Sequence, residues 1–168
     1  MQGQMRMVPQ ECLRKTGGER FREFSRAYYH HIAFAQTARI REVLTLLAGE
    51  QNLPAVVHCT AGKDRTGFLV ALIQLLAGVR YEEVREDYLR TNDYFAPRLE
   101  KFLRVMRVLT LAQVSLERML LILMAHPEFL DEVHGILMNR YGSVETYLRE
   151  ACGLEQDTLR KLKDRLLA

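Results

Sequence analysis

Residues 54–67 read Pro54-Ala55-Val56-Val57-His58-Cys59-Thr60-Ala61-Gly62-Lys63-Asp64-Arg65-Thr66-Gly67, and the fold and the chemistry are both read outward from them. The apolar run Ala55 to Val57 has the character of a strand and ends in a cysteine. A short loop containing Gly62 follows, then an apolar helical run from Phe68 to Ala77 closed by Gly78. Strand, glycine-bearing loop and helix in that order aim successive backbone N–H groups and a helix N-terminus at one point, which favours an anion there. Cys59 sits at the floor of that point. A helix N-terminus and a nearby guanidinium lower a cysteine pKa from about 8.5 to roughly 3.5–7.5. Arg65 brings a planar fork suited to two oxygens of one oxyanion. A nucleophilic thiolate beneath an anion cradle is therefore expected.

Composition narrows the class. The chain has 168 residues, 48% hydrophobic and 27% charged, which suits one globular domain with its own core. We divide it into an N-terminal helical segment (1–32), a loop-bearing core (33–94) and a helical C-terminal part (95–168). The formal net charge of +3 leans only slightly towards anionic partners. Neither a nucleic-acid partner nor a transmembrane segment is expected: the most apolar stretch, Phe102 to Ala125, is interrupted by Arg104, Arg107, Glu117 and Arg118. Residues 1–10 are polar and show no secretory leader. A cytoplasmic location, or export without a visible signal peptide, follows as the expectation. Cys12, Cys59 and Cys152 are an odd and scattered set, which argues against a disulfide framework. With no paired CxxC, no structural zinc is expected.

Most segments between glycines and prolines carry helical periodicity. Helices are expected over 19–32, from Ile32 to Ala48, over 66–77, 82–94, from Pro97 to Leu109, from Gln113 to Ala125, from Pro127 to Tyr141, after Ser143, and over 154–167. The fold class is thus α/β but predominantly helical, built behind a single strand at 55–58. That strand poses a problem, because one strand leaves both of its edges unpaired. Its partners must come from residues 1–18, from a part of the domain that is absent, or from a second copy of the chain. Dimerisation to complete the sheet is one of the expected solutions.

The ten residues His58 to Gly67 resemble the signature of the cysteine-dependent (Cys-x5-Arg) phosphatases. The wording Ala61-Gly62-Lys63-Asp64-Arg65-Thr66-Gly67 is similar to the bacterial atypical tyrosine and lipid phosphatases, the group of the secreted mycobacterial tyrosine phosphatase B. Glu86 to Tyr94 resembles the segment that follows the phosphate loop in that family, and Gly142 to Leu148 resembles its C-terminal helical motif. The resemblance covers about residues 33–168. Family members place further strands ahead of the loop, and many carry a general-acid aspartate on an upstream mobile loop. Neither is found here: no aspartate precedes Asp64.

The resemblance implies a metal-independent, cofactor-free phosphomonoesterase. Phosphotyrosine in a protein or peptide is the default substrate, with phosphoserine, phosphothreonine or phosphoinositides as further substrates. Cys59 would attack phosphorus and form a cysteinyl-phosphate. Arg65 would hold the equatorial oxygens, and the N–H groups from Thr60 through Ala61, Gly62, Lys63 and Asp64 to Arg65 would line the cradle. Thr66 would hydrogen-bond the thiolate, cap the following helix, or do both. His58 would orient the loop. Asp64 is the first choice for the proton donor, since the like charge of a bound phosphate favours a protonated carboxyl beside it. Its alternative is a plain ion pair with Lys63 or Arg65, and Asp87 and Asp93 are second choices. Lys63 would add charge beside the phosphate, as in enzymes that accept phosphoinositides. The apolar stretch from Phe102 to Ala125 is expected to pack into the core, with a lid as the alternative.

Other anion loops fit less well. A nucleoside-triphosphate loop needs an earlier glycine, and Ser or Thr after the lysine. Sulfur transfer or arsenate reduction would want a second, resolving cysteine nearby. The rival from a different class is a phosphate- or phosphoinositide-binding module with little or no turnover.

Overall fold

A computed structural model describes residues 18–109 and 116–167. In chain order the helices are α1 (Gly18–Ala35), α2 (Thr37–Ala48), α3 (Arg65–Leu76), α4 (Tyr81–Leu109), α5 (Leu116–Leu123), α6 (Pro127–Tyr141), α7 (Val144–Glu150) and α8 (Gln156–Leu166), with a 3₁₀ turn at Glu50–Asn52 after α2. The domain is predominantly helical, as expected. The strand at 55–58 is the correction. The chain there has no regular secondary structure and belongs to no ladder, and among the described residues no strand is present. A ladder needs a second edge, and helices cannot offer one. Val56 is accordingly 89% exposed and Leu53 47% exposed, while Val57 alone rests against the core. Residues 1–17, one expected source of a partner strand, lie outside the described residues.

The helix α3 sits at the centre. Its sequence, Arg-Thr-Gly-Phe-Leu-Val-Ala-Leu-Ile-Gln-Leu-Leu, is apolar on nearly every face, which marks a helix enclosed by others. Phe68, Leu69, Ala71, Leu72 and Leu76 are buried, and α3 packs against α4 on one side and α7 on another. The remaining helices close around it: α1 on α6, α2 on α8, α4 on α6, and α6 on α7. Tyr29, Leu44, Leu72, Leu130, Leu137, Tyr147 and Leu148 form the deepest part of the core. The Tyr147 hydroxyl donates to the carbonyl of Ala33 and ties α7 to the end of α1.

Local signals set several boundaries. Pro127 stands in the first turn of α6, where its missing N–H costs nothing. That helix ends at Gly142, whose φ of 73° is left-handed and whose N–H bonds the Met138 carbonyl at 2.8 Å. Ser143 caps α7 by accepting from the Thr146 N–H at 3.0 Å. Two further expectations are corrected. The helix expected to restart at Pro97 is continuous with its predecessor, so α4 runs unbroken through position 97; the proline forfeits its own hydrogen bond without ending the helix. The stretch from Phe102 to Ala125 was expected to enter the core, yet Phe102, Val105, Val108 and Leu109 are 46%, 51%, 74% and 71% exposed, while Ala125 at its end is buried; positions 110–115 lie outside the described residues. Among the described residues no helix is long and apolar enough to cross a membrane.

Burial separates two substitutions by size. Leu148→Ala, at a position with 0% exposure, is expected to cost about 2–5 kcal/mol in urea unfolding. Val56→Ser is expected to stay within about 0.5 kcal/mol. A loss above about 1 kcal/mol at Val56 would show that a partner covers this segment in solution.

Candidate active site

The loop from Cys59 to Asp64 leads directly into α3, with Asp64 at the N-cap position. Asp64 makes no side-chain cap bond, so its carboxylate is free to turn elsewhere. Gly62 adopts φ 79°, a conformation that admits glycine most readily. The reversal brings the Gly62 N–H to the Cys59 Sγ at 3.2 Å. Thr66 and the Ala61 N–H also lie near enough to that sulfur to favour its charged form. Burial pushes the Cys59 thiol up, but these donors outweigh it and leave the thiol below its ordinary value. The largest lowering comes from Thr66 rather than from the neighbouring guanidinium, which the sequence had suggested. The cap position expected for Thr66 belongs to Asp64.

The Arg65 guanidinium donates to Thr60 Oγ1 at 3.2 Å and to the Tyr28 hydroxyl. Two cavities open on either side of it. One, about 560 Å³, is lined by His58, Cys59 and Thr66 with Ile40, Val57 and Phe68. The other, about 660 Å³, is lined by Thr60, Lys63 and Asp64 with Phe24, Tyr28 and Phe129. Cys59 lines the first cavity and Asp64 the second, and Arg65 joins them by lining both.

Lys63 and Asp64 are paired. Lys63 Nζ donates to Oδ1 at 2.7 Å and to Oδ2 at 2.9 Å, and the two side chains are only 14% and 23% exposed. Lys63 is therefore engaged by its neighbour rather than extended towards solvent. Tyr29 adds a third bond: its hydroxyl donates to Asp64 Oδ1 at 2.8 Å. Behind it, the Tyr88 hydroxyl lies 2.7 Å from the Tyr29 hydroxyl. Gly67 eases that approach, because a Cβ there would stand only 3.0 Å from the Tyr88 ring.

His58 is exposed, and its Nδ1 reaches the Cys59 carbonyl only at 3.4 Å, a weak anchor. The second-choice acids lie away from the loop's own hydrogen bonds. Asp87 accepts from Gln74 on α3 at 2.9 Å, and Asp93 is exposed. Burial raises the Cys152 thiol to about 11, which makes it inert beside Cys59; Cys12 lies outside the described residues. Among the described residues no cluster of three or more His, Cys, Asp or Glu side chains could hold a metal ion. Tyr28 and Tyr29 escaped the sequence reading. Their signal, two adjacent tyrosines in a polar-aromatic helix, carries no spacing that ties it to a loop some thirty residues on.

Comparison with known proteins gives the family. Residues 3–168 match the model of the tyrosine phosphatase family. The chain belongs to that family. It is similar to the triple specificity protein phosphatase PtpB of Mycobacterium tuberculosis, with 35% identity over 144 residues, covering 79% of this chain and 50% of the relative. A putative tyrosine-protein phosphatase of Cupriavidus necator is 33% identical over 103 residues, or 61% of this chain and 37% of the relative. An inositol diphosphatase of Arabidopsis thaliana, DSP2, shares 38% over 52 residues, or 31% of this chain and 20% of that protein. The chain spans half or less of the length of these curated phosphatases.

The hydrogen bonds to Cys59 set a measurable reactivity. Alkylation of Cys59 by iodoacetamide is expected to show a midpoint pH below that of a free thiol. Thr66→Ala should move that midpoint upward and slow alkylation at neutral pH. An unchanged profile in Thr66→Ala would remove that side chain from the account of the thiolate.

Proposed function

We propose that this chain is a metal-independent phosphomonoesterase that works through a cysteinyl-phosphate on Cys59. The observation that carries the reading is the thiol of Cys59, which collects N–H and O–H donors at the N-terminus of a buried helix beside Arg65. The thiolate would attack phosphorus in line, forming an S–P bond as the ester P–O bond breaks. Arg65 would leave Thr60 and grip two equatorial oxygens, whose charge the loop N–H groups also meet. Thr60, Ala61, Gly62, Lys63, Asp64, Arg65 and Thr66 would form the phosphate cradle.

Asp64 is the proposed proton donor to the leaving oxygen. In the second step its carboxylate would take a proton from the water that attacks the cysteinyl-phosphate, releasing inorganic phosphate and the thiolate. Lys63 would swing from Asp64 to the arriving phosphate, freeing the carboxyl for that work. Phosphotyrosine is the proposed substrate. The names of the relatives, one a triple specificity phosphatase and one an inositol diphosphatase, support testing phosphoserine, phosphothreonine and inositol phosphates beside it. A phosphate-binding module is the second reading, favoured by the segment at 55–58, which joins no sheet among the described residues.

Hydrolysis of p-nitrophenyl phosphate by the purified chain in EDTA tests the reading. Turnover is expected to survive chelation, to vanish in Cys59→Ser, and to fall about 10²–10³-fold in Arg65→Ala, the cost of a lost transition-state donor. A parent chain that binds phosphate without turnover would sink the enzyme reading and leave the binding module.

A further inference from the structure

Tyr29 is the largest fully buried side chain of α1, at 1% exposure, and its one hydroxyl proton is committed. It donates to Asp64 Oδ1 at 2.8 Å. The Tyr88 hydroxyl, 2.7 Å away and 5% exposed, must then donate to Tyr29, because a hydroxyl has a single proton to give. Its other acceptor, the His126 carbonyl, stands at 3.5 Å, the outer limit of a hydrogen bond. The direction of the chain is therefore fixed: Tyr88 to Tyr29 to Asp64.

Each Asp64 oxygen consequently has a different future. Both accept from Lys63, but only Oδ1 also accepts from Tyr29. When Lys63 turns to a bound phosphate, Oδ1 stays held from inside the core and Oδ2 becomes open. A proton added to the carboxyl is then favoured on Oδ2, since the Tyr29 hydroxyl already holds Oδ1 as an acceptor.

We propose that Tyr29 is a positioning residue for the reaction, one that fixes the Asp64 carboxyl through Oδ1 so that Oδ2 carries the proton to the leaving oxygen. The inference rests on Asp64 being the proton donor. Burial, foremost, and then the neighbouring Tyr88 and Asp64 raise the Tyr29 phenol far above its ordinary range, so it remains a donor at every working pH. Tyr29 is itself fixed by its ring against Phe129, centroids 5.7 Å apart, and by Tyr88 on α4. The loop thus takes the orientation of its carboxylate from α1, a helix separate from the loop and from α3.

The leaving group is the readout. A nitrophenolate departs without a proton, whereas phenolate and alkoxide departure gains about 10²–10⁴-fold from a general acid. Tyr29→Phe is expected to slow phenyl phosphate about 10–100-fold and p-nitrophenyl phosphate far less, with iodoacetamide alkylation of Cys59 unchanged. Asp64→Asn should give the same pattern, and adding Tyr29→Phe to it should change neither substrate further. Tyr88→Phe removes a hydroxyl of the same buried pair without touching the carboxylate, so its thermal unfolding sets the size of a purely structural effect. Equal slowing of both substrates by Tyr29→Phe, or an effect that adds in full to Asp64→Asn, would overturn the positioning role. Asp64→Asn without any leaving-group preference would overturn Asp64 as donor and Tyr29 with it, while leaving the Cys59 chemistry standing. A parent chain without turnover on either ester would overturn the proposed function, and the role of Tyr29 would fall with it.

Discussion

A buried helix must begin somewhere with N–H groups that no turn of its own can satisfy, and α3 begins at Cys59's loop. Its first residues direct those donors at a sulfur atom instead of at water. The enclosing helices α4 and α7 fix where α3 lies, and hence where that field of donors converges. The Gly62 reversal and the Thr66 hydroxyl only finish what the placement of the helix starts. An acceptor at that point is stabilised before any substrate arrives, which is the condition for a preorganised site.

Around that point the loop is held by side chains from elsewhere in the chain. Tyr28 lies beside Arg65 and Tyr29 reaches Asp64, so two successive residues of α1 each meet one charged side chain where the loop enters α3. Exposed ion pairs, Arg22 with Glu128 and Arg26 with Glu132, join α1 to α6 at its surface and contribute at most about 1 kcal/mol apiece. The basic residues near the start of α1 are therefore partly spent on this seam. Burial of Tyr29 and Ile32, not these pairs, keeps α1 in register with the loop.

Much of this was legible beforehand. The cysteine, the arginine and the helix behind them follow from local order along the chain, because the loop's own residues supply its donors. The caps at Gly142 and Ser143 follow from turn chemistry confined to a few residues. What was not legible depends on contacts between distant segments. Nothing in the spacing of Tyr29 and Asp64, 35 positions apart, announces a hydrogen bond. The run Ala55 to Val57 has the composition of a strand, but a strand is a property of two segments, and here the second is not among the described residues. Proline at 97 misled for the opposite reason: a local penalty of a few kcal/mol was read as a boundary although the rest of α4 keeps its helix.

Gly67 carries a meaning that its place in the signature hides. A glycine beside an anion loop is ordinarily read as backbone freedom, yet Gly67 lies within the helix α3 and needs none. What it supplies is thinness. A β-carbon at this position would stand only 3.0 Å from the Tyr88 ring, so any larger residue would press α4 away from α3. The lack of one methyl group thereby lets the Tyr88 ring lie close against α3. A signature of this kind records the tolerance between neighbouring helices as much as the chemistry of the loop it surrounds.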